Sequence, residues 1–171
     1  MFVAALALLA ETDGIVFFAG LDNGETLGVD VWTRNVVFSV DRLAGSILAC
    51  AATSTPASMP MLFTGSEDGL FAAWDLRVTK SPLHAVSRSS SPITSIGVSP
   101  SDSLSVWTAH GDGVCCKWSN VGDKPHISTT LTGQHYDAVR GIARAGESGR
   151  IFTICQDGQL REYIPHTEGD E

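Results

Sequence analysis

Positive charge is scarce in this chain: Lys and Arg number 11 against 19 Asp and Glu, a formal net charge of −8 over 171 residues. That is the wrong sign for gripping a phosphate backbone or an anionic lipid surface, so no direct nucleic-acid or membrane partner is expected. Long apolar runs are missing too. The opening MFVAALALLA is too short to span a bilayer, and with Arg34 as the first cation it lacks the basic start of a signal peptide. Cysteine is limited to Cys50, Cys115, Cys116 and Cys155, with no C-x-x-C pair and no Cys/His cluster at ligand spacing. These read as buried free thiols, and no N-x-[ST] sequon occurs, which together predict an intracellular protein of the cytoplasm and/or nucleus. No stretch is rich in Leu, Glu and Lys, which nearly excludes a helix bundle. Catalytic patterns are equally absent: there is no G-x-S-x-G, no glycine-rich phosphate loop and no H-E-x-x-H. His84, His110, His126, His135 and His166 are scattered, so no catalytic residue, cofactor or metal is assigned and a non-enzyme is expected.

What the chain has is turns: 17 glycines and 7 prolines within a sequence that is 43% hydrophobic, the mark of many short strands around a sizeable core. Four turn signals recur, Asn23-Gly24, Asp68-Gly69, Asp112-Gly113 and Asp157-Gly158, with their glycines 45, 44 and 45 residues apart. Five residues after the last three glycines stands an aromatic, Trp74, Trp118 or Tyr163. In the first unit Trp32 is taken as the counterpart, displaced by an insertion around Glu25 to Gly28. Apolar runs flank every turn, and another lies some twenty residues upstream: Phe2 to Leu9, Ile47 to Ala52, Ile93 to Val98 and Val139 to Ala143. A fourth run follows in three units, Val36 to Val40, Leu83 to Val86 and Ile127 to Leu131, and has no counterpart in the last. The pattern predicts four strands per unit and fifteen in all, the first unit having strands at Phe2 to Ala10, Ile15 to Gly20, Gly28 to Thr33 and Val36 to Val40.

A period of about 44–45 residues with an Asp-Gly turn and a Trp strand resembles the WD40-repeat family. The resemblance implies an all-β fold of WD40-type β-propeller blades, one domain over 1–171 with blades at about 1–43, 44–88, 89–133 and 134–171, the last lacking its outer strand. It further implies an open or incomplete propeller, a fragment or a half completed by another chain or a second copy. In that family a buried tetrad joins a Ser or Thr of the second strand, the turn Asp, the Trp and a His before the first strand. The matching residues are Thr64, Asp68 and Trp74; Thr108, Asp112 and Trp118; and His135, Thr153, Asp157 and Tyr163, which makes the fourth unit the fullest. Ala19 and Asn23 leave the first unit the most degenerate. A buried carboxylate such as Asp157 is tolerable only among donors, so these residues read as fold-holding.

Function is then expected on the surface. The turn edge would present Asp22, Glu25, Glu67, Tyr136, Arg140 and Gln156, an acidic surface with an aromatic that suits a basic peptide or a protein partner. The chain reads as a non-catalytic interaction scaffold or adaptor subunit. The stretch from Leu62 to Arg77, ending Trp74-Asp75-Leu76-Arg77, is also similar to the box by which WD40 substrate receptors dock on cullin-RING ubiquitin ligases. That alternative would use the Arg77 fork to clamp a partner carboxylate, against the plainer reading of a salt bridge to Asp75. An enzyme on a propeller fold is the lowest alternative. Ser91, before Pro92, is the single candidate serine for phosphorylation; the acidic end Glu168, Asp170 and Glu171 reads as solvated.

Overall fold

The computed structural model describes residues 2–11, 14–40, 43, 45–53, 59–78, 81–99, 102–131, 136–145 and 149–164. Among them are fifteen strands and no helix, in four open antiparallel sheets, each a meander in chain order. The first holds β1 (Val3–Glu11), β2 (Gly14–Leu21), β3 (Thr26–Asp30) and β4 (Val36–Val40). The second holds β5 (Ile47–Thr53), β6 (Met61–Ser66), β7 (Leu70–Asp75) and β8 (His84–Ser87). The third holds β9 (Ile93–Ser99), β10 (Asp102–His110), β11 (Cys115–Ser119) and β12 (His126–Leu131). The fourth has three strands, β13 (Val139–Ala145), β14 (Arg150–Cys155) and β15 (Leu160–Tyr163).

The turn glycines explain the register. Gly24, Gly69, Gly113 and Gly158 all sit at φ between +79° and +86°, where a side chain is strained. A Cβ at Gly24 would also strike the carbonyl of Leu43, and one at Gly69 that of Ser89, so the first two turns support the chain segment leading into the next sheet. Gly158 has open space around it.

Neighbouring sheets meet through their innermost strands, β1 on β5, β5 on β9 and β9 on β13. Each seam carries a core. Leu9, Phe18 and Phe38 of the first sheet meet Leu62 and Trp74 of the second. Phe63 and Phe71 meet Val106 and Trp118, with Phe71 and Trp118 stacked at 5.3 Å. Ala109 and Cys115 meet Val139, Ile142 and Ile151. Small residues of each second strand receive a branched one from the next sheet: Cβ atoms added to Gly20 and Gly65 would collide with Ile47 and Ile93, and Ala109 packs with Val139. Sheets cannot stack this closely without such volume compensation.

The first unit departs from expectation at its third strand. Pairing puts Val29 opposite Phe17, as Trp74 lies opposite Leu62, Trp118 opposite Val106 and Tyr163 opposite Ile151. The aromatic's counterpart is therefore Val29, and there is no insertion. The strand is Thr26–Asp30, not Gly28 to Thr33, because the Asp30 carboxylate closes a turn by accepting from the Thr33 amide at 2.6 Å and its hydroxyl at 2.8 Å. Trp32 falls in that turn and is 74% exposed.

Candidate functional site

The polar residues at the turn edge of the sheets are assembled from the strand ends inward. In the second sheet the buried Trp74 donates Nε1–H to Thr64 Oγ1 at 3.0 Å. In the third, Trp118 does the same to Thr108 at 3.0 Å, and His110 Nε2 lies 3.0 Å from that hydroxyl. In the fourth, the Tyr163 hydroxyl bonds Thr153; partial burial pushes its pKa up and this bond offsets part of the rise. The first sheet has Ala19 and Val29 at these positions and no such pair.

The turn aspartates are not buried with them. Asp68, Asp112 and Asp157 stand at the surface, because their donors are local and surface-borne. Asp112 accepts from the Val114 amide at 3.3 Å and Asp157 from the Gln159 amide at 2.9 Å, as Asn23 does from Glu25 at 3.1 Å: each side chain closes its own turn. Asp68 is hydrogen-bonded by Ser66, Asp112 is paired with Arg88, and Asp157 with Arg161 at 3.2 Å. Partial burial works to raise the Asp112 pKa, and the Arg88 hydrogen bond and the Val114 amide overcome it, leaving it lowered. Asp157 is lowered chiefly by the Gln159 amide. His135 lies outside the described residues, as do Pro100, His166 and the acidic end.

His110 is the residue whose role sequence reading understated. It is fully buried, its Nδ1 makes no hydrogen bond among the described residues, and burial together with the charge of Arg88 lowers its pKa to about 4. Its column of the repeat reads Leu21, Ser66, His110 and Cys155, each two residues before the turn residue; the period exposed that column, but its varied chemistry hid its importance. Arg88 carried no signal, since it reaches Asp112 across a seam from 24 residues away. Ser91 accepts from the Asp112 amide at 3.0 Å, so its hydroxyl already holds this turn.

The expected surface residues form two groups. Ser46 Oγ joins the first, bonding the Asp22 carbonyl at 2.9 Å and Glu67 Oε2 at 3.1 Å. In the second, Arg140 donates to Gln156, with Tyr136 nearby in sequence and 97% exposed. Glu25 is half-buried beside Asn23. Arg77 is engaged inside its own sheet: Nε and one terminal nitrogen grip both oxygens of Asp75, at 2.9 and 2.7 Å. This bond lowers the Asp75 pKa and raises that of Arg77, so the bidentate edge the ligase-receptor reading needs is occupied.

The four cysteines are free thiols; burial pushes Cys50 and Cys115 up to about 12, far from thiolate reactivity. Among the described residues no cluster of three or more His, Cys, Asp or Glu could hold a metal, and no helix is long and apolar enough to cross a membrane.

No protein-family model matches the chain. It is 25% identical over 158 residues to the probable proteasomal ATPase-associated factor 1 of Dictyostelium discoideum, covering 89% of this chain and 36% of that protein. It is 31% identical over 103 residues to the proteasomal ATPase-associated factor 1 of Homo sapiens, covering 60% of this chain and 24% of that one. The chain thus spans about a third or less of the length of the curated relatives it matches. The crystal structure of the computationally designed Ika4 protein shares its fold, with a TM-score of 0.73 at 17% identity over 95% of this chain and 91% of that one.

Proposed function

We propose that the four sheets are WD40-type blades of an open or incomplete propeller, and that the chain is a non-catalytic adaptor whose partner is a proteasomal ATPase inside the cell. The observation that carries the partner is the similarity along 89% of this chain to a proteasomal ATPase-associated factor, which spreads over the repeat and is not confined to one turn. The Trp–Thr hydrogen bonds in the second and third sheets support the blade reading. The adaptor role is supported by a turn edge whose polar groups are engaged in closing turns and linking sheets, an arrangement suited to holding a rigid surface. Size-exclusion chromatography of the full chain with a purified proteasomal ATPase ring tests the partner. Co-elution is expected, and separate elution at micromolar concentrations of both would overturn it.

A further inference from the structure

The seam between the third and fourth sheets differs from the other two and opens into a cleft of about 650 Å³. At the matching level of the second seam, Phe63 and Ala73 close on Val98, Val106 and Trp118. In the third seam those places are taken by Trp107 and Lys117 on one side and Arg144, Ile151 and Tyr163 on the other, with Thr129 completing the row Trp107–Lys117–Thr129. Two cations have thus replaced Ala73 and Val98 between facing aromatics. Lys117 and Arg144 are half-buried and, among the described residues, neither side chain makes a salt bridge or a hydrogen bond. In a chain of net charge −8, two convergent unpaired cations in a partly apolar cleft call for an anion with an apolar body.

The geometry points to a docking site in this cleft for an acidic, extended segment of a partner protein, with a carboxylate between Lys117 and Arg144 and an apolar side chain against Trp107 and Tyr163. The planar Arg144 fork suits a carboxylate, and the lining aromatics suit an aliphatic neighbour. β15, paired with β14, lines the cleft through Tyr163, and the segment would lie along it. The site goes beyond the adaptor reading and stands whether or not the partner is a proteasomal ATPase.

The test is fluorescence anisotropy of the full chain with a labelled peptide of alternating Asp and Leu. Saturable binding is expected, weakened about tenfold or more in the Lys117→Met/Arg144→Met variant, as for loss of a charge-assisted pair. A peptide with Ser for Leu should bind more weakly, and one with Lys for Asp should not bind. In the unmodified chain the Trp107 indole N–H resonance should shift on titration while those of Trp74 and Trp118 stay, which keeps the test open if the double variant fails to fold. Unchanged binding by that variant, an unmoved Trp107 resonance, or no saturation would overturn the proposal. So would preferential binding of a single-stranded oligonucleotide, or binding only when Glu168, Asp170 and Glu171 are neutralised, which would make the chain's own acidic end the occupant.

Discussion

The seam between the second and third sheets and the outward face of the first are built from the same register positions to different ends. In the seam, Gly65 makes room for Ile93, and Trp118 hydrogen-bonds Thr108. On the outward face of the first sheet the place of Ile93 is taken by Val3, that of Trp118 by Val29 and that of Thr108 by Ala19. The polar anchor is gone and the apolar surface remains: Leu6 is 65% exposed and Leu8 53%. The outward face of the fourth sheet is a third case. It places Ile154 where Gly65 stands in the second sheet and carries the Arg150–Glu162 ion pair at 2.8 Å. The lesson is physical: a Trp–Thr hydrogen bond repays desolvation only where a neighbouring sheet excludes water, and it is kept only in sheets that have such a neighbour on that side.

The largest effect expected is at the packing contact itself. A Cβ at Gly65 would lie 2.8 Å from Ile93 Cβ, so Gly65→Val should cost about 3 kcal/mol or more in denaturant unfolding. At the matching position of the fourth sheet, Ile154→Gly should cost no more than about 1 kcal/mol, since Ile154 already faces solvent. Equal costs would erase the distinction between seam and end.

His110 sharpens the same comparison through pH. Its folded pKa of about 4 lies below the ordinary histidine value of 6.5, so the unfolded chain binds the proton first as pH falls. Stability is then full above about pH 6.5 and drops by roughly 3 kcal/mol on the way to about pH 4. Asp112, also lowered on folding, adds a further loss in the same direction, at and below the ordinary carboxylate range. In His110→Gln the loss between pH 6.5 and 4 should vanish in urea melts; a persistent slope would assign it elsewhere.

Thr108→Ala leaves the buried Trp118 N–H without its acceptor and should cost about 1–3 kcal/mol. Ala19→Thr, at the same position of the first sheet, should change stability by less than about 0.5 kcal/mol, because Val29 offers no donor. If the added hydroxyl stabilised the chain, the outward face would have cover.

The smallest stability effect is expected from Leu6→Lys with Leu8→Glu, under about 1 kcal/mol, since both side chains are exposed. The readout is association. The unmodified chain should self-associate in sedimentation at micromolar concentration through this apolar face and the double variant should not. A monomeric unmodified chain would show that the face is tolerated bare.

Strand order was legible without coordinates because the repeat is written in backbone requirements: a turn at φ near +80° needs Gly24, Gly69, Gly113 and Gly158, and alternation then sets each strand's faces. That the last sheet has three strands among the described residues matches a missing apolar run in the sequence. Trp32 is not the aromatic's counterpart, because register and not residue type sets that position; the Asp30 turn, not composition, decides where β3 ends. The partners of Asp112, the burial of His110 and the convergence of Lys117 with Arg144 were settled by tertiary packing alone. These join residues from different sheets, and a one-dimensional pattern carries the faces within a sheet but not which side chains meet across a seam. Hydrogen-bond partners and electrostatics at that distance depend on how closely the sheets stack, and side-chain volumes such as those of Gly65 and Ile93 set that spacing.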